Sequence, residues 1–279
     1  MSKSIRFSKM HGLGNDFMVI DAVNQAFIPD AEQIQRWANR HTGVGFDQLL
    51  LVEPADHPDA EFRYRIFNAD GSEVGQCGNG ARCFAVFVRD LGLTRQQQIR
   101  VQTQSRLLTL TIEADRQVTV DMGVPKLEPS DIPLAMPQRQ TLYTVTTPQG
   151  VHSFGAVSLG NPHAVLTVTD CRQAPVHELG AYLESHALFP ERANIGFMQI
   201  LCPDAIRLRV YERGSGETQA CGSGACAAVV VGRIQNQLDA RVNVELPGGS
   251  LTIQWTGPDQ PVLMTGPAQT VYTGNISLT

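Results

Sequence analysis

One local pattern occurs twice in this chain, and the repeat constrains its fold more than any other feature. Asn68 to Cys83 reads NADGSEVGQCGNGARC, and Glu212 to Cys226 reads ERGSGETQACGSGAC. Both contain E-x-x-x-C-G-x-G-A, with Glu73 matched to Glu217 and Cys77 to Cys221 at an offset of 221 − 77 = 144 residues. An apolar run with few breakers follows each, Ala81 to Leu91 and Ala225 to Leu238, and its spacing predicts a helix. Each cysteine therefore falls where a glycine-rich turn feeds a helix N-terminus.

The first turn of a helix leaves backbone N–H groups unpaired and carries partial positive charge. A carboxylate docks there, the more closely because glycine lets the backbone approach. A thiol at that position is expected to titrate below its ordinary pKa of about 8.5. Two such thiols, each beside an anion cradle, predict paired acid–base chemistry on a carboxylate-bearing substrate. Cys83, Cys171, Cys202 and Cys226 lack this setting and read as small buried hydrophobes.

Other features recur in the same order. Leu13-Gly14-Asn15 is echoed by Leu159-Gly160-Asn161 (161 − 15 = 146), and Gly45-Phe46-Asp47-Gln48 by Gly196-Phe197-Met198-Gln199 (196 − 45 = 151). The alternating strand Phe62–Phe67 is echoed by Ile206–Tyr211. Ordered repeats of this kind predict a duplicated domain. Ile5–Ser8, Phe17–Asp21, Gln48–Val52, Ile99–Thr103, Leu107–Ile112 and Val118–Met122 read as further strands. Pro29–Arg40 reads as a helix capped by Asp30. Residues 123 to 138 carry four prolines and no periodicity, which predicts a linker. Val242–Leu246 and Leu251–Trp255 read as a hairpin, and Val262–Thr265 and Thr270–Leu278 as closing strands. The expected architecture is α+β: two pseudo-symmetric lobes, each a mostly antiparallel sheet or barrel around a central helix. Residues 1–122 with the C-terminal strand 267–279 form the N-terminal lobe, and 123–266 the C-terminal lobe. The active site is expected in the cleft between them.

Composition narrows the function. At 279 residues, with 42% hydrophobic and 18% charged content, the chain suits one large or two ordinary domains. A formal net charge of −5 and pI near 5.8 argue against nucleic acid or an anionic membrane surface as partner. Residues 1 to 20 show no secretory signal pattern and no apolar run approaches spanning length, so a cytoplasmic location is expected. No pair of cysteines has the C-x-x-C spacing of a zinc site, and no metal is expected. Pyridoxal-phosphate enzymes need a Schiff-base lysine in a pocket. Lys3, Lys9 and Lys126 flank the first strand or sit in the proline-rich connection, and none suits that role. No cofactor is expected.

Opposed thiols around one carbon suit stereoinversion: one thiolate removes an α-proton and the other thiol delivers a proton from the opposite face. The developing carbanion delocalises into the α-carboxylate, which N–H donors at Gly78, Asn79, Gly222 and Ser223 would hold.

The motifs Met10-His11-Gly12-Leu13-Gly14-Asn15-Asp16-Phe17, Asn68-Ala69-Asp70-Gly71-Ser72, Gln76-Cys77-Gly78-Asn79-Gly80, Gly160-Asn161-Pro162-His163, Tyr211-Glu212-Arg213-Gly214 and Ala220-Cys221-Gly222-Ser223-Gly224 cover essentially the whole chain. In them the sequence resembles the diaminopimelate epimerase family. The resemblance implies a cofactor-independent interconversion of LL- and meso-diaminopimelate, in lysine and peptidoglycan-precursor biosynthesis. It implies Cys77 and Cys221 as the acid–base pair, with His163 and Glu212 helping to generate or position the thiolates. Asn15, Gln48, Asn68, Asn161, Asn194 and Arg213 resemble the polar shell around the substrate. It further implies a homodimer with Tyr272 at the contact. Arg213 holding a carboxylate bidentately makes physical sense for a substrate with a second amino-acid end.

Three alternatives remain at this level. A two-thiol racemase of proline or hydroxyproline would leave Arg213 without an evident role. A phenazine-type isomerase would use a carboxylate where this chain has thiols. A redox-sensing or binding protein would use Cys77 and Cys221 as a disulfide.

Overall fold

The computed structural model describes residues 4–75 and 77–278. The chain folds as two compact units, Met1–Asp121 with Gly266–Thr279, and Met122–Thr265.

The first unit runs β1 (Ser4–Gly12), β2 (Asn15–Asp21), α1 (Ala31–Ala38), β3 (Gln48–Pro54), β4 (Phe62–Asn68), β5 (Glu73–Val74), α2 (Gly78–Asp90), β6 (Gln98–Gln102), β7 (Leu107–Ile112) and β8 (Val118–Asp121). The second runs β9 (Tyr143–Thr147), β10 (Gly150–Ser158), β11 (Pro162–Thr167), α3 (Val176–Glu184), β12 (Asn194–Cys202), β13 (Ala205–Glu212), β14 (Gly216–Glu217), α4 (Gly222–Ile234), β15 (Arg241–Leu246), β16 (Gly249–Gln254) and β17 (Leu263–Gly266). β18 (Gln269–Ser277) returns to the first unit and pairs antiparallel with β1.

The two units repeat the same pairing scheme. β1–β2 and β10–β11 are antiparallel hairpins. β2–β3 and β11–β12 are parallel, their crossovers made by α1 and α3. β3–β4 and β12–β13 are antiparallel, and β4–β6 and β13–β15 are parallel around α2 and α4. An outer strand completes each unit, β18 on β1 and β9 on β10. α2 contacts β1, β2, β3, β7, β8 and β18, so strands surround it; α4 likewise meets β10, β11, β12, β13 and β16. That encirclement explains why every residue from Ala81 to Val88, and from Ala225 to Val231, is buried and why neither run shows a polar stripe.

Each central helix packs close enough to its strands to require glycine. A Cβ on Gly80 would lie 2.3 Å from the Tyr64 hydroxyl, and one on Gly224 would lie 3.0 Å from Val210 Cγ2. Both helices end alike. Gly92 (φ +70°) and Asn236 (φ +57°) take the left-handed position, and Leu93 and Gln237 donate back to the carbonyls of Val88 and Gly232 at 2.9 Å. Asn is the one common non-glycine substitute there.

α1 has the expected Asp30 cap, which accepts from the Gln33 N–H at 3.1 Å. Its inner face, Ile34, Trp37 and Ala38, joins Phe27, Met18 and Leu49 in a core where Phe27 stacks on Trp37 at 5.6 Å.

Four sequence expectations need correction. Residues 123–138 are not a loose linker: Ile132 and Leu134 are buried in the second unit's core, Pro129–Asp131 forms a 3₁₀ turn, and Lys126 bridges to Ser158. Prolines there make a fixed path rather than a hinge. The 151-residue echo is not an equivalence, because Gly45–Asp47 precede β3 whereas Gly196–Gln199 lie inside β12. By pairing, Phe17↔Gln48 corresponds to His163↔Asn194, so Gln48 matches Asn194 (194 − 48 = 146). Cys202 is exposed at the end of β12, while Cys83, Cys171 and Cys226 are buried. The segment from Tyr143 to Glu184 holds β9, β10, β11 and α3, which the pattern reading passed over.

Candidate active site

Glu73 and Glu217, shared by the two motifs, are structural anchors. Arg65 grips Glu73 through Nε and Nη2, both at 2.8 Å, and Arg209 grips Glu217 at 2.6 and 2.8 Å. The offset 209 − 65 = 144 is that of the cysteines. These bidentate pairs fasten the short strands β5 and β14 to β4 and β13, just before each cysteine turn.

In the first unit Cys77 is the N-cap of α2, and its sulfur accepts from the Gly80 N–H at 3.4 Å. Tyr64 Oη donates to the Cys77 carbonyl at 3.3 Å, and burial keeps that phenol protonated by pushing its pKa well up. The Cys77 thiol lies 3.8 Å from Asn15 Oδ1, which also accepts from Asn79 Nδ2 at 3.4 Å. Gln48 Nε2 donates to Asn68 Oδ1 at 2.9 Å, and Asn68 Nδ2 donates to Ser72 Oγ. Asn15, Gln48 and Asn68 thus collect at one end of β2, β3 and β4.

In the second unit Cys221 caps α4 and is buried. Its sulfur lies 3.7 Å from Ser223 Oγ. The Glu212 carboxylate accepts from the Cys221 thiol and from the Thr218 hydroxyl. Burial, with the Glu212 carboxylate second, pushes the Cys221 thiol well above its usual range, although the Gly224 N–H and Ser223 oppose the shift. This corrects the expectation of a lowered thiol. Water exclusion and a neighbouring anion outweigh the helix terminus, so Cys221 is held as S–H. Burial also raises the Glu212 carboxyl, less so because the thiol and Thr218 stabilise its anion.

His163 is buried, and desolvation, then the Arg213 charge, lowers its pKa to about 3, so the imidazole is neutral. Asn161 Oδ1 lies 3.0 Å from His163 Nε2. With the amide oxygen as acceptor, Nε2 carries the proton and Nδ1 is the basic nitrogen. Asn194 is also buried; its Nδ2 donates to the Pro162 carbonyl and its Oδ1 accepts from the Arg213 N–H, both at 3.0 Å. Arg213 is exposed and donates Nη1 to the Glu191 carbonyl at 3.0 Å. The turn carrying it is clamped by the buried Glu184, which accepts from the Gly214 N–H at 2.9 Å and from Arg192 at 2.6 Å.

The two clusters occupy equivalent rows with different chemistry. Where the first unit has Phe17 (163 − 17 = 146) and Asn68 (212 − 68 = 144), the second has His163 and Glu212. At these two positions the titratable side chains therefore fall in the second unit. Tyr64, Thr218 and Glu184 were missed by pattern reading. Tyr64 sat in an alternation that explained it as core, and Glu184 bonds to a turn 30 residues away. Tyr272 lies exposed on β18, edge-on to Phe7 at 6.0 Å.

Comparison with known proteins agrees with this picture. Among solved structures, a probable proline racemase from Agrobacterium radiobacter K84 superposes with a TM-score of 0.70 at 17% identity, covering 99% of this chain and 93% of its own. A hydroxyproline epimerase from Agrobacterium vitis gives 0.70 at 14% identity, over 100% and 94% of the two chains. A phenazine biosynthesis protein of the PhzF family from Bacillus anthracis gives 0.69 at 17%, over 99% and 100%. The fold is one shared with a racemase and an epimerase, and the match to an epimerase family model makes this chain an enzyme of the isomerase class. The family model for diaminopimelate epimerase matches residues 7–128 and 155–271, and the chain belongs to that family. No helix among the described residues is long and apolar enough to cross a membrane.

Proposed function

We propose that the protein interconverts LL- and meso-diaminopimelate without a cofactor, using Cys77 and Cys221 as a two-base pair. The observation that carries this reading is the matched placement of both cysteines as helix caps, within a chain of this family. A thiolate takes the α-proton, leaving the C–H electron pair on carbon and delocalised into the α-carboxylate. The other thiol returns a proton to the opposite face and becomes the thiolate, so protons and charge balance. N–H groups at Gly78, Asn79, Gly222 and Ser223 stabilise the carboxylate as it gains charge. Cys221, held as S–H, is poised to donate first, and Glu212 accepts its proton when the reaction runs in reverse. His163, neutral in the fold, helps to position the thiols. Arg213 takes the distal carboxylate. Asn15, Gln48, Asn68, Asn161 and Asn194 hold or position the polar ends.

Proton NMR in D₂O tests the substrate, with reduced protein and no pyridoxal phosphate. Loss of the α-proton signal of LL-diaminopimelate and appearance of the meso isomer are expected, with L-proline unchanged in a parallel tube. Exchange confined to proline would replace this reading with that of a proline racemase.

We further propose a homodimer in which Tyr272 contacts the partner, supported by the exposed tyrosine on β18. Sedimentation should give twice the 30.4 kDa chain mass, shifting towards monomer for Tyr272→Ala. A monomeric wild type at micromolar concentration would rule this out.

A further inference from the structure

Beside Cys77 lies a network of charged residues that the proposed reaction does not use. Asp16 accepts from Lys9 Nζ at 2.5 Å and from Arg40 through two bonds of 2.9 and 2.7 Å. Lys9 also donates to the Gly45 carbonyl. Arg40 reaches on to Asp47 at 2.7 Å. Burial alone would raise the Asp16 carboxyl, but Arg40 and Lys9 hold it down at about 2, so Asp16 stays ionised at all working pH. Asp16 and Asp47 are tied by backbone as well, each accepting the other's N–H, at 2.9 and 3.1 Å. Asp47 then accepts from Asn15 Nδ2 at 2.9 Å.

That last bond determines which end of the Asn15 amide faces the thiol. A primary amide has one donor end and one acceptor end of nearly equal size. A carboxylate takes only the donor end, so Asp47 turns Oδ1 towards Cys77 Sγ and Asn79 Nδ2. An amide oxygen accepts from S–H and repels S⁻; an amide N–H in its place would favour the thiolate. The second unit has no counterpart. By the strand register Asp47 corresponds to Ala193 (193 − 47 = 146), which has no carboxylate, and Asn161 turns its oxygen to His163 instead.

We propose that Asp47, held by Arg40, is a positioning residue for Cys77: it fixes the Asn15 amide so that its oxygen faces the thiol and lowers its reactivity as a thiolate in the free protein. The functional meaning rests on Cys77 being a reacting thiol, as proposed above; the geometry does not. Its test is the rate of iodoacetamide alkylation at pH 7, mapped by mass spectrometry, with exposed Cys202 as the internal reference. In Asp47→Ala the Asn15 amide can rotate, and the Cys77-to-Cys202 rate ratio should rise about fivefold, the size of one modest hydrogen bond. Asp47→Asn, whose oxygen can still accept from Asn15, should stay near wild type. In an Asn15→Ala background, Asp47→Ala should add nothing, because the effect travels through that amide. An unchanged or lower ratio in Asp47→Ala would overturn the proposal. So would an equal rise in the Asn15→Ala background, which marks simple loosening of the turn. Alkylation needs no substrate, so failure of the diaminopimelate assay would refute the functional reading while leaving this result intact.

Discussion

Cys77→Ala and Cys221→Ala should each lower epimerisation by about 10³-fold, the span general acid–base groups commonly supply. Neither thiol can be replaced by its partner, because inversion needs a base on one face and an acid on the other. The serine variants separate these roles. A hydroxyl is too weakly acidic to act as the base, yet the remaining thiol can still exchange an α-proton from one stereoisomer. Cys221→Ser should therefore show deuterium wash-in without inversion, starting from the isomer that Cys77 deprotonates. Cys77→Ser should show the mirror preference. Near-normal turnover in either alanine variant, with an unchanged thermal melt, would remove that cysteine from the mechanism. The environments differ, so the variants should not be equivalent in pH response: burial and Glu212 hold Cys221 protonated, whereas Cys77 lies 3.8 Å from the neutral Asn15 amide oxygen.

The second large effect concerns stability in acid. His163 has a folded pKa lowered to about 3, through burial first and then Arg213; unfolded, it titrates near 6.5. Between those values the unfolded chain binds a proton that the folded chain refuses. Stability is thus unaffected above about pH 6.5 and falls as pH drops through the window towards 3. At pH 5 the loss from this residue alone is roughly 1.5 × 1.36, or about 2 kcal/mol, and about 3 kcal/mol near pH 4. Urea unfolding of wild type and His163→Gln at pH 7, 6 and 5 isolates the effect, since other groups cancel in the difference. The variant starts from its own baseline but should lose less stability with acid. Parallel pH curves for the two proteins would mean that His163 is not held neutral in the fold.

Much of the architecture was readable from the string of residues because it is written in local rules. The glycine–cysteine turns, the breaker-free apolar runs and the capping Asp30 all act within a few residues. A duplicated pattern multiplied each weak signal by repeating it in the same order at similar offsets. Cys77 and Cys221 were visible for the same reason, each lying in a polar turn that packing alone does not explain. The offset itself then became misleading at Gly196. That echo was a chance match: the spacing from Phe17 to Gln48 (48 − 17 = 31) equals that from His163 to Asn194 (194 − 163 = 31), and the parallel register of β2–β3 and β11–β12 aligns Gln48 with Asn194.

Long-range contact supplied the rest. Residues 123–138 look like a linker by composition, yet Ile132 and Leu134 find a core made of residues reaching as far as Phe197. Asn15 was nameable as a site residue, but its orientation comes from Asp47, 32 positions away. The charge states are the clearest case. A helix N-terminus by itself predicts an acidic thiol, and a histidine by itself predicts titration near neutrality. Cys221 and His163 depart in opposite directions, thiol up and imidazole down, because both are stripped of water in the folded unit. Desolvation depends on every atom that closes over a group. Its magnitude is therefore a property of the packed fold, whereas the identity of the group and the turn that carries it belong to the sequence.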